Sequence, residues 1–146
     1  MLHQKAILTV PTDLKALDQV LSWFNKLHQN SIPKQDWLQC ELALAEGFTN
    51  AVNHAHQDFP PDIPIKIEIN ILETVLEIRI WDFGKPFDLQ NHIRNLPPIN
   101  NQEFGRGRGI PILLKVTDHL SYERTEDNRN CLLMVKNYSP RQVSRR

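Results

Sequence analysis

Pro64-Ile65-Lys66-Ile67-Glu68-Ile69-Asn70-Ile71-Leu72-Glu73-Thr74-Val75-Leu76-Glu77-Ile78-Arg79-Ile80-Trp81-Asp82-Phe83-Gly84 is the stretch that decides the fold. Ile65, Ile67, Ile69 and Ile71 alternate with Lys66, Glu68 and Asn70. Leu76, Ile78 and Ile80 alternate with Glu77 and Arg79. A period of two predicts two strands, and the short Glu73-Thr74 connection predicts an antiparallel hairpin. One face of that hairpin is wholly aliphatic and the other polar, as expected of a sheet with one covered and one wet face.

The segments on either side supply the cover. On the N-terminal side, Asp58-Phe59-Pro60-Pro61-Asp62 reads as a breaker loop. Before it a helix is expected from about Lys34 to Gln57, preceded by Pro33, with Leu38, Leu42, Ala45, Thr49 and Val52 as its inner stripe. An earlier helix, capped by Thr12 or Asp13, carries Leu14, Leu17, Val20, Leu21, Phe24 and Leu27 at helical spacing. Gln4 to Val10 reads as an opening strand ended by Pro11. On the C-terminal side, Phe83 to about Phe104 shows no period and contains Gly84, Pro86, Pro97 and Pro98. A loop of that length inside a compact domain is usually functional. A helix from about Arg108 to Thr117 follows, with Pro111 in its first turn, where a missing N–H costs little. Strands near Leu120–Arg124 and Cys131–Tyr138 close the chain. The expected class is α+β: a two-layer sandwich whose mostly antiparallel, mixed sheet is covered on one face by helices.

The 146 residues suit one domain, residues 1–146, ordered from about 4 to 138 with a frayed basic tail from 139 to 146. Lys plus Arg equals Asp plus Glu at 17 each, so no net charge draws the chain to nucleic acid or an acidic membrane. No basic segment leads into an apolar run, and no stretch approaches the ~20 apolar residues that span a bilayer; a cytoplasmic protein is expected. Cys40 and Cys131 have neither metal-ligand nor redox-pair spacing, and both sit among apolar residues, which predicts two buried free thiols.

Three segments could carry chemistry. In Glu46-Gly47-Phe48-Thr49-Asn50-Ala51-Val52-Asn53-His54, residues Glu46, Asn50 and His54 are spaced by four and share one helix stripe beside the apolar one. A carboxylate, an amide and an imidazole so aligned can hold a hydrated cation and take a proton; a solvated helix face has the same spacing. Asp82-Phe83-Gly84-Lys85-Pro86-Phe87-Asp88 begins at a strand end. A carboxylate there has a fixed direction and can accept a hydrogen bond from an exocyclic amine, while Gly84 would let a flat ligand approach the backbone; an ordinary Asp-Gly turn also fits. Gly105-Arg106-Gly107-Arg108-Gly109 holds three of the chain's five glycines. Its free N–H groups, two arginines and the following helix start suit a phosphate chain; a flexible hinge is the alternative. No Gly-x4-Gly-Lys-Ser/Thr phosphate loop occurs, and the glycine run follows a long loop, not a strand, which argues against a dinucleotide fold.

In order and spacing these segments resemble the N-box, G1 box and G2 box of the GHKL (Bergerat-fold) ATPases. The likeness is greatest to the anti-sigma-factor serine/threonine kinases of the RsbW and SpoIIAB type. The resemblance runs from the first strand to the last and rests on Glu46, Asn50-Ala51, His54-Ala55, Pro86-Phe87-Asp88 and the absence of a phospho-acceptor helical hairpin. It implies ATP and Mg²⁺ as cofactors. Glu46 would be the general base and Asn50 the Mg²⁺ ligand. Asp82 would hold the adenine amine. Gly105, Gly107 and Gly109, with Arg106 or Arg108, would contact phosphates. Asn53, His54, Gly84 and Pro86 complete the implied nucleotide site. The implied partners are a sigma factor and an anti-anti-sigma (STAS-type) protein, with a homodimer suggested.

Two departures stand out. Many GHKL proteins carry a Gly-Thr pair before the last strand, where this chain has Asn128-Arg129-Asn130, with Thr125 earlier. The loop from Phe87 to Phe104 has no glycine, which predicts a stiff lid. Two functions follow: a kinase that phosphorylates its anti-anti-sigma partner, or a module that captures a partner under ATP control without transferring phosphate.

Overall fold

The structure, a computed structural model, describes residues 2–96 and 109–141, side chains of 2 and 3 aside. The strands are β1 (Leu2–Pro11), β2 (Pro64–Leu72), β3 (Val75–Asp82), β4 (His119–Arg124) and β5 (Asn130–Asn137). They form one sheet in the order β1-β2-β3-β5-β4. All four pairings are antiparallel; among the described residues there is no parallel pair of the kind a mixed sheet would contain. The hairpin register sets Ile67 opposite Ile80 and Ile69 opposite Ile78.

The helices are α1 (Leu17–Asn25), α2 (Lys34–Asn50), α3 (Leu89–Arg94) and α4 (Gly109–Val116). A short 3₁₀ turn, Leu14–Ala16, leads into α1, and Asp13 caps it by accepting from the Lys15 N–H at 2.9 Å. Ile65, Ile67, Ile69, Ile71, Leu76, Ile78 and Ile80 are all buried on the helix side. Each contributes about 1.5–3 kcal/mol by leaving water. Among the described residues no buried side-chain polar atom lacks a partner.

Helix α2 presents a different face from the one Leu38 and Leu42 suggest. Leu38 and Leu42 are 50% and 42% exposed, and the buried residues are Trp37, Cys40, Ala43, Leu44, Gly47 and Phe48. Large rings decide the orientation: Trp37 stacks on Phe24 of α1 at 4.1 Å and donates its indole N–H to Asn25 at 2.8 Å. Gly47 brings the helix down onto the sheet, since a Cβ there would lie 2.9 Å from both Ile80 and Met134.

The helix is also shorter than its composition suggests. It ends at Asn50, and Ala51–Ala55 form a π-helical turn closed by the His56 N–H on the Ala51 carbonyl at 2.9 Å. Such i→i+5 turns shift side-chain phase and are frequent at functional sites. The aperiodic stretch after Phe83 contains α3, whose N-cap Asp88 accepts from the Asn91 N–H at 3.0 Å. The rest of the expected lid, 97–104, and the last five residues of the basic tail lie outside the described residues. Both cysteines are free; Cys40 is buried and Cys131 only half so. Burial raises both thiols, to about 12 and about 11, away from thiolate chemistry. No helix among the described residues is long and apolar enough to cross a membrane.

Candidate functional site

The hairpin delivers Asp82 to the last position of β3, paired with Asn130 at the first position of β5. Asp82 is 2% exposed. Its Oδ1 accepts from the Gly84 N–H at 2.8 Å and from Asn130 Nδ2 at 2.9 Å, and its Oδ2 accepts from the Tyr122 hydroxyl at 2.6 Å. Charge-assisted bonds to a buried carboxylate hold it in one direction. Burial, together with the bond to Asp82 and its charge, raises the Tyr122 phenol far above its ordinary value, so Tyr122 stays a donor.

Asn130 does more than meet Asp82. Its amide also donates to the Gly84 carbonyl at 3.0 Å, and Arg124 donates to that carbonyl at 2.9 Å and to Asn130 Oδ1 at 3.3 Å. Asn128 takes φ 63°, a conformation asparagine tolerates better than most residues. Between them, Asn128 supplies the left-handed turn and Asn130 the side-chain hydrogen bond at the place where the Gly-Thr pair was missed in the sequence.

Gly84 lies against the π turn that follows α2. A Cβ on it would sit 2.7 Å from the Ala55 carbonyl oxygen, so the space over this glycine is taken by Ala55. A second tie runs beside it. His56 is 1% exposed; its Nε2 accepts from the Phe83 N–H at 2.8 Å, which leaves Nδ1 to donate to Thr12 Oγ1 at 2.8 Å. Thr12 in turn donates to the Ile63 carbonyl at 2.5 Å. Burial holds the imidazole below its usual value, with Asp82 pulling weakly the other way, so it serves as a neutral relay between four segments.

Glu46 and Asn50 are both half-buried on α2. The first residue of α4 packs over them: a Cβ on Gly109 would lie 3.0 Å from both Asn50 side-chain heteroatoms and 3.3 Å from Glu46 Oε2. The regular stripe ends there. Asn53 and His54 fall in the π turn and are exposed, and Pro86 is exposed in the loop after Asp82. Gly105, Arg106, Gly107 and Arg108 lie outside the described residues. The structure thus brings together Glu46, Asn50 and Gly109 at one end and Asp82, Gly84 and Asn130 at the other. Sequence reading missed His56, Tyr122 and Arg124. The alternation Leu120, Tyr122, Arg124 was available as a sign that all three share a face of β4. His56 had no such signal, because the π turn breaks the helical phase that would place it.

A helix carrying an acid and an amide, a strand-end carboxylate and a glycine-opened helix start converge here, and the family of the histidine kinase-like ATPase domain matches residues 10–136. The chain belongs to that family. Within the histidine kinase-like ATPases it is RsbW-like. It is 29% identical over 106 residues to the serine-protein kinase RsbW of Listeria innocua serovar 6a, a match spanning 70% of this chain and 67% of that protein. It is 38% identical over 63 residues to the serine-protein kinase RsbW of Oceanobacillus iheyensis, spanning 43% and 39% of the two chains. In fold it is similar to a crystal structure of the RsbU and RsbW domains of Rv1364c from Mycobacterium tuberculosis, with TM-score 0.66 and 12% identity. That likeness covers 96% of this chain and 34% of the other.

Proposed function

We propose that this chain binds ATP or ADP with Mg²⁺ and transfers phosphate from ATP to a serine of an anti-anti-sigma (STAS-type) protein, and that it also captures a sigma factor, as a cytoplasmic homodimer. The observation that carries the reading is the packing of Gly109 at the start of α4 onto Asn50 and Glu46, on the helix whose end is tied by His56 to the backbone beside Asp82. That arrangement supports one ligand with its base at Asp82 and its phosphates at the start of α4, where backbone N–H groups favour anions.

The donor set fits Mg²⁺ held largely by nucleotide. Among the described residues no group of three His, Cys, Asp or Glu side chains could cage a metal ion. Mg²⁺ keeps several waters and takes phosphate oxygens, so one amide oxygen from Asn50 suits it, and when bound it would neutralise phosphate charge. Asn53 and His54, exposed one turn further on, would meet solvent or phosphate. Glu46 would orient the serine hydroxyl and accept its proton as the oxygen–phosphorus bond forms and the bond to ADP breaks.

A second reading, partner capture under ATP control without transfer, uses the same nucleotide site and differs only in whether Glu46 acts as a base. Labelled ATP with the cognate anti-anti-sigma protein separates the two. Phosphate on the partner is the result expected of the kinase; bound nucleotide with no transfer leaves the capture module. Calorimetry should first show micromolar, Mg²⁺-dependent binding, and nucleotide at 100 times Kd should stabilise the fold by about 2.7 kcal/mol. No heat and no thermal shift at millimolar nucleotide would rule out both.

A further inference from the structure

We propose that Tyr122 is a specificity-determining residue of the base site, a displaceable cap whose hydroxyl occupies Asp82 Oδ2 until the exocyclic amine of an adenine takes its place. The inference rests on Asp82 as the residue that receives the base.

The two oxygens of Asp82 are unequal. Oδ1 accepts from two groups that belong to the fold's framework, the Gly84 backbone and Asn130 on β5. Oδ2 accepts from the Tyr122 hydroxyl. A ligand that dislodged either Oδ1 donor would have to move the loop after β3 or the start of β5. A ligand at Oδ2 needs only one phenol to turn. Tyr122 sits at the margin of the core: it is half-buried and packs against the core on one side, and its ring meets Phe87 edge-on at 6.3 Å, where Phe87 is itself 50% exposed. Phe87 in turn leans on His92 of α3 at 5.3 Å, so the cap is bordered by the loop that follows the site.

Hydroxyl and amine are both donors, and an amine that enters along the lone pair of Oδ2 held by the hydroxyl competes with it for that oxygen. A purine with an amine at its six-position replaces the bond it breaks. A purine without one breaks nothing and gains nothing, and one with a carbonyl there sets an acceptor against a carboxylate. The cap therefore taxes adenine nucleotides alone, by part of the strength of a hydrogen bond to a charged group.

The test compares wild type with Tyr122→Phe, titrated with ATP and with purine riboside triphosphate, which lacks the amine. Losing the hydroxyl frees Oδ2, so ATP should bind about tenfold tighter while the amine-free analogue shifts less than about threefold. A thermal melt of nucleotide-free Tyr122→Phe should show a folded protein with a lowered Tm, as the carboxylate loses a donor. Weaker ATP binding, or equal shifts for both nucleotides, overturns the cap and makes Tyr122 a fixed support of Asp82. If both folded proteins bind neither nucleotide, the base site itself is wrong and the cap falls with it.

Discussion

The two ends of the site are built in opposite ways. At the Asp82 end, side chains are tied down: three donors on the carboxylate, and Asn130 and Arg124 clamped on the Gly84 carbonyl. At the Glu46 end the partners are half-exposed on a helix, held by packing of α4 across α2 through the Gly109 backbone. A group that reads a flat base must be fixed in direction before the base arrives, and hydrogen bonds in a dry site fix it. A group that takes a proton from another protein must stay reachable, which favours a carboxylate on an open helix face. Under the proposed function, the contrast would separate recognition from chemistry within one domain.

The sharpest way to break that division is Glu46→Gln, which keeps shape and removes proton acceptance. Phosphate transfer to the partner should fall by about 10²-fold or more while nucleotide affinity moves by less than about tenfold; a mutant that transfers at the wild-type rate removes Glu46 from the chemistry. Asp82→Asn probes the other end. An amide must turn its NH₂ toward at least one of the three donors. The preference for ATP over GTP should therefore drop roughly tenfold, with stability lower by about 1–3 kcal/mol. An unchanged ATP-to-GTP ratio would show that recognition does not reside there.

Gly84→Val tests whether the tied end depends on its contact with the π turn. A Cβ 2.7 Å from the Ala55 carbonyl forces the loop to move, and overpacking of this kind costs about 1–3 kcal/mol. Urea melts should show it, and an unshifted midpoint would mean that the loop yields freely. The smallest effect is acid sensitivity through His56. Its folded value lies below 6.5, near which the unfolded chain titrates, so between the two the unfolded state binds the extra proton. Stability from this group is complete above 6.5 and is lost as pH falls through that window, because a protonated Nε2 cannot accept from Phe83. The Tm-versus-pH slope just below 6.5 should flatten in His56→Gln; an equal slope in both proteins would assign the acid response elsewhere.

Local pattern determined much of this molecule. Strict alternation from Ile65 to Ile80 set the hairpin, its register side and its covered face, because a period of two admits one sheet orientation. The strand-end Asp82 and the glycine cluster that ends at Gly109 were legible as a candidate site, because few backbones need those residues there. Tertiary contacts decided the rest. Helix α2 turned away from Leu38 and Leu42 because Trp37 and Phe48 bury more area than those two could, and a 3.6 period cannot rank competing faces. The π turn that carries His56 inward depends on bonds to Thr12 and Phe83, 44 and 27 residues away. The partners of Asp82 came from Tyr122 and Asn130, 40 and 48 positions on, and only the closing of the sheet brought those donors to the carboxylate.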